Sequence, residues 1–97
     1  MSYRGALIVR KMKRREIHEA LEKQILEALT KGNMAWGDIL KTVLASCEKF
    51  ATFGRFNSRL QYLLKKHYIK RLRWGIYGIT ENGKMYLELL KKNAVYT

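Results

Sequence analysis

Residues 53–81 read FGRFNSRLQYLLKKHYIKRLRWGIYGITE, and the fold turns on how this stretch is parsed. At about 100° per residue, Phe53, Phe56, Leu60, Leu63, Leu64 and His67 fall within one narrow arc. That is the pattern of a helix laid on a core, here from about Gly54 to His67. Almost opposite lie Arg55, Ser58, Tyr62 and Lys65, flanked by Arg59 and Lys66, with Asn57 nearby. One face is apolar and the other basic. The stretch Tyr68-Ile69-Lys70-Arg71-Leu72-Arg73 and the stretch Ile76-Tyr77-Gly78-Ile79 are β-rich and flank Trp74-Gly75, so residues 68–79 read as a tight hairpin.

Working outward, Thr80 is a good N-cap and Glu81 supports the first turn of a last helix over 81–93. Upstream, Ile17, Leu21, Gln24, Ile25 and Ala28 share a face of a first helix over 14–31, with Glu22, Lys23 and Glu27 largely opposite. Lys31-Gly32-Asn33 supplies its stop. Met34-Ala35-Trp36 is short enough to be a single bridging strand. A second helix runs from 37 to about 50, with Asp38 near its positive end and Trp36, Ile39, Leu40, Val43, Cys47 and Phe50 on its core face. The expected fold is mainly α with a small β-hairpin, an α+β class in the order α-β-α-α-β-β-α. It occupies residues 16–93, after a basic N-terminal arm or helix extension over 1–15 and before a tail over 94–97.

Charge narrows the class of partner. The 97 residues carry 20 Lys and Arg against 8 Asp and Glu, a formal charge of +12. The signs are segregated along the chain, whereas a solubilising surface mixes them. Residues 1–15 hold six basic groups and no acid, and residues 49–80 hold eight and no acid. Residues 16–48 hold six acids against three bases. Two acid-free basic segments predict a polyanion partner, nucleic acid before anionic membrane. The single cysteine, Cys47, excludes an internal disulfide framework and suggests a reducing compartment; on its apolar stripe it reads as a buried thiol. The longest apolar run, Ala6 to Val9, is too short to span a bilayer, so a cytoplasmic protein with no membrane partner is expected.

The run Ser58-Arg59-Leu60-Gln61-Tyr62-Leu63-Leu64-Lys65-Lys66-His67-Tyr68-Ile69, followed by Tyr77-Gly78-Ile79-Thr80-Glu81-Asn82-Gly83, resembles winged-helix DNA-binding proteins. The likeness is to repressors of the PadR, MarR and ArsR kind and especially to small archaeal and archaeal-virus winged-helix regulators. It spans residues 16–93. Two departures stand out: His67 occupies a place where the family often has glycine, and the wing turn is only Trp74-Gly75. The resemblance implies a third helix in the DNA major groove and a hairpin on the backbone or minor groove.

The residue chemistry leads to the same expectation independently. Lys and Arg neutralise phosphates, Arg pairs with guanine O6 and N7, and Asn or Gln pairs with adenine. The expected DNA-binding set is Arg55, Asn57, Ser58, Arg59, Tyr62, Lys65 and Lys66 on the recognition helix, and Lys70, Arg71, Arg73 and Trp74 on the wing. Arg10, Lys11, Lys13, Arg14 and Arg15 on the N-terminal arm complete it. The function expected is a sequence-specific double-stranded DNA-binding transcriptional regulator. An architectural chromatin protein and a winged-helix protein-interaction module are the alternatives. Enzymatic readings fail on inventory: His18 and His67 stand alone, one cysteine makes no zinc site, and no glycine-rich phosphate loop occurs. No cofactor or metal is expected. On the last helix, Tyr86, Leu89 and Leu90 form a stripe with Met85 and Leu87 to either side, spanning about 200° of the circumference. Leu26 points away from the first helix's core face on the same arithmetic. This excess of apolar surface predicts a homodimer built on Met85, Tyr86, Leu87, Leu89 and Leu90.

Overall fold

Helix α1 (Arg14–Thr30) is the element around which the others gather in the computed structural model, which describes residues 13–47 and 51–92. It starts where the Glu16 side chain accepts the Lys13 N–H at 2.9 Å, which satisfies one of the donors a helix start leaves open. It stops where the Gly32 N–H bonds the Leu29 carbonyl. Strand β1 (Met34–Ala35) follows, then α2 (Trp36–Ser46), α3 (Phe53–Lys65), β2 (Ile69–Arg73), β3 (Ile76–Ile79) and α4 (Glu81–Lys92). The chain is therefore mainly helical, with a small three-stranded antiparallel sheet in the order β1-β3-β2. The bridging strand is two residues long and pairs Met34 with Tyr77 and Ala35 with Ile76.

The core is one cluster. Leu21, Ile25 and Leu29 of α1 meet Ile39 and Val43 of α2, Phe56, Leu60 and Leu63 of α3, Ile69 and Tyr77 of the sheet, and Leu87 and Leu90 of α4. Helix α1 touches α2, α3, α4 and β3. A helix with neighbours on several sides buries a wider arc than a one-sided amphipathic helix, and this corrects two expectations for α1. Leu26, expected to point away from the core, is fully buried, and Glu22, expected opposite the core face, is buried too. Leu87 and Leu90, expected at a dimer interface, are core residues.

Two boundaries differ from the sequence reading. Helix α2 ends at Ser46 and Cys47 closes it, short of the expected residue 50. Helix α3 begins at Phe53, because the Thr52 hydroxyl accepts the Arg55 N–H at 3.1 Å and caps the first turn there. The arm over 1–12 and the tail lie outside the described residues.

The end of α3 explains the placement of His67. The Tyr68 N–H bonds the Leu63 carbonyl and the His67 N–H bonds the Leu64 carbonyl, the paired bonds of a Schellman stop. That stop puts the residue after the cap in the left-handed region, and His67 has φ +65°. The left-handed region favours glycine, so a histidine here carries a backbone cost. The core stripe expected to include His67 ends before it; the residue lies past the last turn and is exposed.

Immediately after this stop, α4 packs against the turn. The Thr80 hydroxyl accepts the Gly83 N–H at 3.0 Å and donates to the His67 carbonyl at 2.6 Å, so one side chain both caps α4 and ties it to the end of α3. Gly83 is buried against that turn, and a Cβ there would sit 1.9 Å from the Tyr68 carbonyl oxygen. That neighbour is main chain and has no soft side chain to yield. Gly83→Ala is therefore expected to destabilise the fold by about 1–3 kcal/mol, as overpacking does. Urea unfolding followed by circular dichroism checks this. A loss below about 0.5 kcal/mol would show that α4 can shift away from the turn.

Candidate nucleic-acid interface

Burial of Phe56, Leu60 and Leu63 fixes the rotation of α3 about its axis. The opposite side then carries exposed Arg55, Ser58, Gln61, Lys65 and Lys66, with Asn57 and Tyr62 half-buried. The hairpin continues this basic surface. Strand β2 is an edge strand, and after buried Ile69 its residues Lys70, Arg71, Leu72 and Arg73 are all exposed. The Arg71 guanidinium lies over the Tyr77 ring, 5.6 Å from its centroid, although the residue as a whole stays exposed. Between Lys49 and Thr80 the sequence has no acidic residue, so no carboxylate within α3 or the hairpin offsets these cations. Lys13, Arg14 and Arg15 are exposed at the start of α1, where Arg15 is 3.6 Å from Glu19. Arg10 and Lys11 lie outside the described residues.

Arg59 does not join the exposed set. Its Nη1 donates to Glu22 Oε2 at 2.6 Å, and the pair is largely shielded from solvent. The Tyr86 hydroxyl donates to the other Glu22 oxygen. Tyr62 covers the guanidinium at 4.6 Å from its ring centroid, and Tyr68 stacks on Tyr86 at 4.3 Å. Arg59 and Tyr62, expected to face DNA, are thus drawn into a polar knot that joins α1, α3 and α4. The reason is Glu22. Only 2% exposed, it is the one buried charged residue among the described residues, and it requires a cation. The sequence reading missed Glu22 and the bonding role of Tyr86. One signal was present: Glu22, Leu26 and Leu29 form a second helical row beside Leu21, Ile25 and Ala28, and its other members are apolar.

The knot forms the floor of an open cavity of about 540 Å³, whose rim includes Arg14, Arg15 and His18. A neighbouring hollow of about 400 Å³ joins Arg14 and His18 to Arg55. Burial and the charge of Arg59 hold the His18 imidazole below its ordinary pKa, with Arg14 and Arg55 adding to the effect against the opposing pull of Glu22.

Elsewhere, Trp36 is half-buried, with Phe53 and Phe56 at centroid distances of 5.3 and 5.5 Å. Phe53, expected in the core, is mostly exposed on its far side. Cys47 is buried, and burial pushes its thiol pKa up, away from reactivity. On α4 only Met85 and Leu89 of the expected interface set are exposed; Tyr86 is half-buried. No helix of the described residues is long and apolar enough to cross a membrane. Comparison with known proteins returned no matching family model, no matching curated protein and no matching solved structure.

The knot makes a quantitative prediction. Glu22→Ala leaves Arg59 buried without its partner and should cost about 3–5 kcal/mol. Tyr86→Phe removes a donor to a buried carboxylate and should cost about 1.5–3 kcal/mol. The double variant should lose less than the sum, because both act on one group. Urea titrations of the three variants measure this, and strict additivity would mean that the two side chains do not share Glu22.

Proposed function

We propose that this chain is a winged-helix DNA-binding protein acting as a transcriptional regulator, with α3 in the major groove of duplex DNA and the β2–β3 hairpin on the backbone. The observation that carries the reading is the set of exposed cations Lys65, Lys66, Lys70, Arg71 and Arg73 on the end of α3 and the adjoining hairpin, in a stretch of sequence that contains no Asp or Glu. Three helices followed by an antiparallel hairpin support the docking mode, since that arrangement offers a helix and a ribbon to one side. Within it, Arg55, Ser58 and Gln61 have the chemistry to read base edges, and the lysines and hairpin arginines have the chemistry to hold phosphates.

Sequestration of Arg59 favours a second reading. With that arginine committed to Glu22, α3 retains few base-reading groups, which suits an architectural protein that binds by backbone and shape. Selection from random duplexes at near-physiological salt separates the two. An enriched motif supports the regulator, uniform recovery supports the architectural protein, and absence of duplex binding removes both.

A dimer belongs to the same proposal in reduced form. Met85 and Leu89 sit one turn apart on α4 and remain exposed beside a hollow of about 370 Å³ lined in part by Tyr68 and Tyr86. A two-fold contact there presents two α3 helices to half-sites about one helical turn apart. Sedimentation equilibrium of the parent should show twice the chain mass of 11.5 kDa, and Leu89→Glu should return the monomer. A parent that stays monomeric at micromolar concentration removes the dimer.

The two groups of cations should separate in binding measurements. Arg55→Ala should weaken a selected site by about 1–3 kcal/mol and relax base preference there. Neutralising Lys70 and Arg71 together should weaken all duplexes nearly equally and flatten log K against log salt by roughly one unit for each phosphate no longer neutralised. An unchanged slope would take the hairpin out of the footprint.

A further inference from the structure

Resting on the DNA-binding reading, we propose that Trp74 is a stacking wedge: its indole enters an opened base step of duplex DNA and kinks it, while the flanking cations hold the phosphates. Three observations converge on the hairpin tip. First, the indole is 94% exposed, the most exposed of the large apolar side chains among the described residues. Second, the backbone that bears it is anchored. Arg73 and Ile76 close a two-residue turn in which Gly75 takes φ +75°, and the Gly75 carbonyl accepts the Trp36 N–H at 3.0 Å. The tip is thereby fixed to the start of α2, so the exposed ring is carried on an ordered support. Third, its surroundings alternate in character. Arg71, Leu72, Arg73 and Trp74 are all exposed, with cationic and apolar side chains interleaved, and the register slips between Arg71 and Arg73 at a bulge. A bulge of this kind re-aims the side chains beyond it.

The charge pattern selects the occupant. A second copy of a chain at +12 would bring like charge to a tip already flanked by Arg71 and Arg73, which disfavours a contact between copies. A nucleic acid offers phosphates to those cations together with flat apolar faces between them. The minor groove, about 6 Å wide, admits a planar ring edgewise, and apolar wedges inserted there unstack base steps. Pyrimidine–purine steps open most readily, so the wedge selects for deformability without any hydrogen bond to a base.

The test uses the full chain and a duplex of about 25 base pairs with a central TpA step, end-labelled for energy transfer. Binding is followed separately by anisotropy. The parent should bind, shorten the end-to-end distance, and lose tryptophan emission as the duplex saturates. Trp74→Phe should still bend the duplex, because a flat ring remains, but should lose most of the emission change, since Trp36 is half-buried at the far end of the anchoring bond. Trp74→Ala should bind several-fold more weakly and leave the duplex straight. With its side chain almost wholly in solvent, the site tolerates both changes without loss of the fold. Equal bending by Trp74→Ala and the parent, or unquenched Trp74 emission in a saturated complex, overturns the wedge while leaving DNA binding intact. Failure of the parent to raise the anisotropy overturns both.

Discussion

A carboxylate buried among three helices is the constraint on which the rest of the arrangement depends. Glu22 cannot lie in the interior unpaired, because an uncompensated charge there costs several kcal/mol. Its two oxygens draw Arg59 from α3 and Tyr86 from α4, so a single residue of α1 sets how both later helices are turned. Apolar contacts alone tolerate some rotation of one helix on another; a doubly bonded carboxylate does not. Once α3 is turned by this bond and by Phe56, Leu60 and Leu63, the outward position of Arg55, Lys65 and Lys66 follows.

The same bond divides the arginines of α3 into two kinds. Arg55 remains on the outer face, whereas Arg59 serves the interior, although both occupy the same acid-free segment. A residue's charge is thus a poor guide to its task unless its nearest carboxylate is known. In the proposed role, that division lowers the number of base-reading groups and shifts the burden toward phosphate contacts and DNA shape.

What is legible in the sequence follows from the range of the interactions involved. Helix periodicity, the Thr80 cap and the Trp74-Gly75 turn are local, and each stands where residues a few positions apart place it. The two-residue strand Met34–Ala35 is legible from its brevity between two helices. The Glu22–Arg59 pair spans 37 positions and the Glu22–Tyr86 bond spans 64, so no local pattern contains them. Leu26 escapes the helical wheel for a related reason. A wheel assumes one buried face, and α1 has neighbours on more than one. For His67 the error is one of length, since the periodic stripe runs on past the turn that ends the helix.

Strand β2 has a further consequence that concerns the protein on its own. It lies at the edge of the sheet, so a row of its main-chain N–H and C=O groups faces away from β3, ready to pair with another strand. Lys70, Arg71 and Arg73 on that edge repel a second copy, and the irregularity at Leu72 interrupts the row. The charges that suit a polyanion therefore also guard against self-pairing and aggregation. In the proposed role, a polyanion that neutralised them would lift the guard at the same time, and chains side by side on one duplex would lose the repulsion that keeps their sheet edges apart.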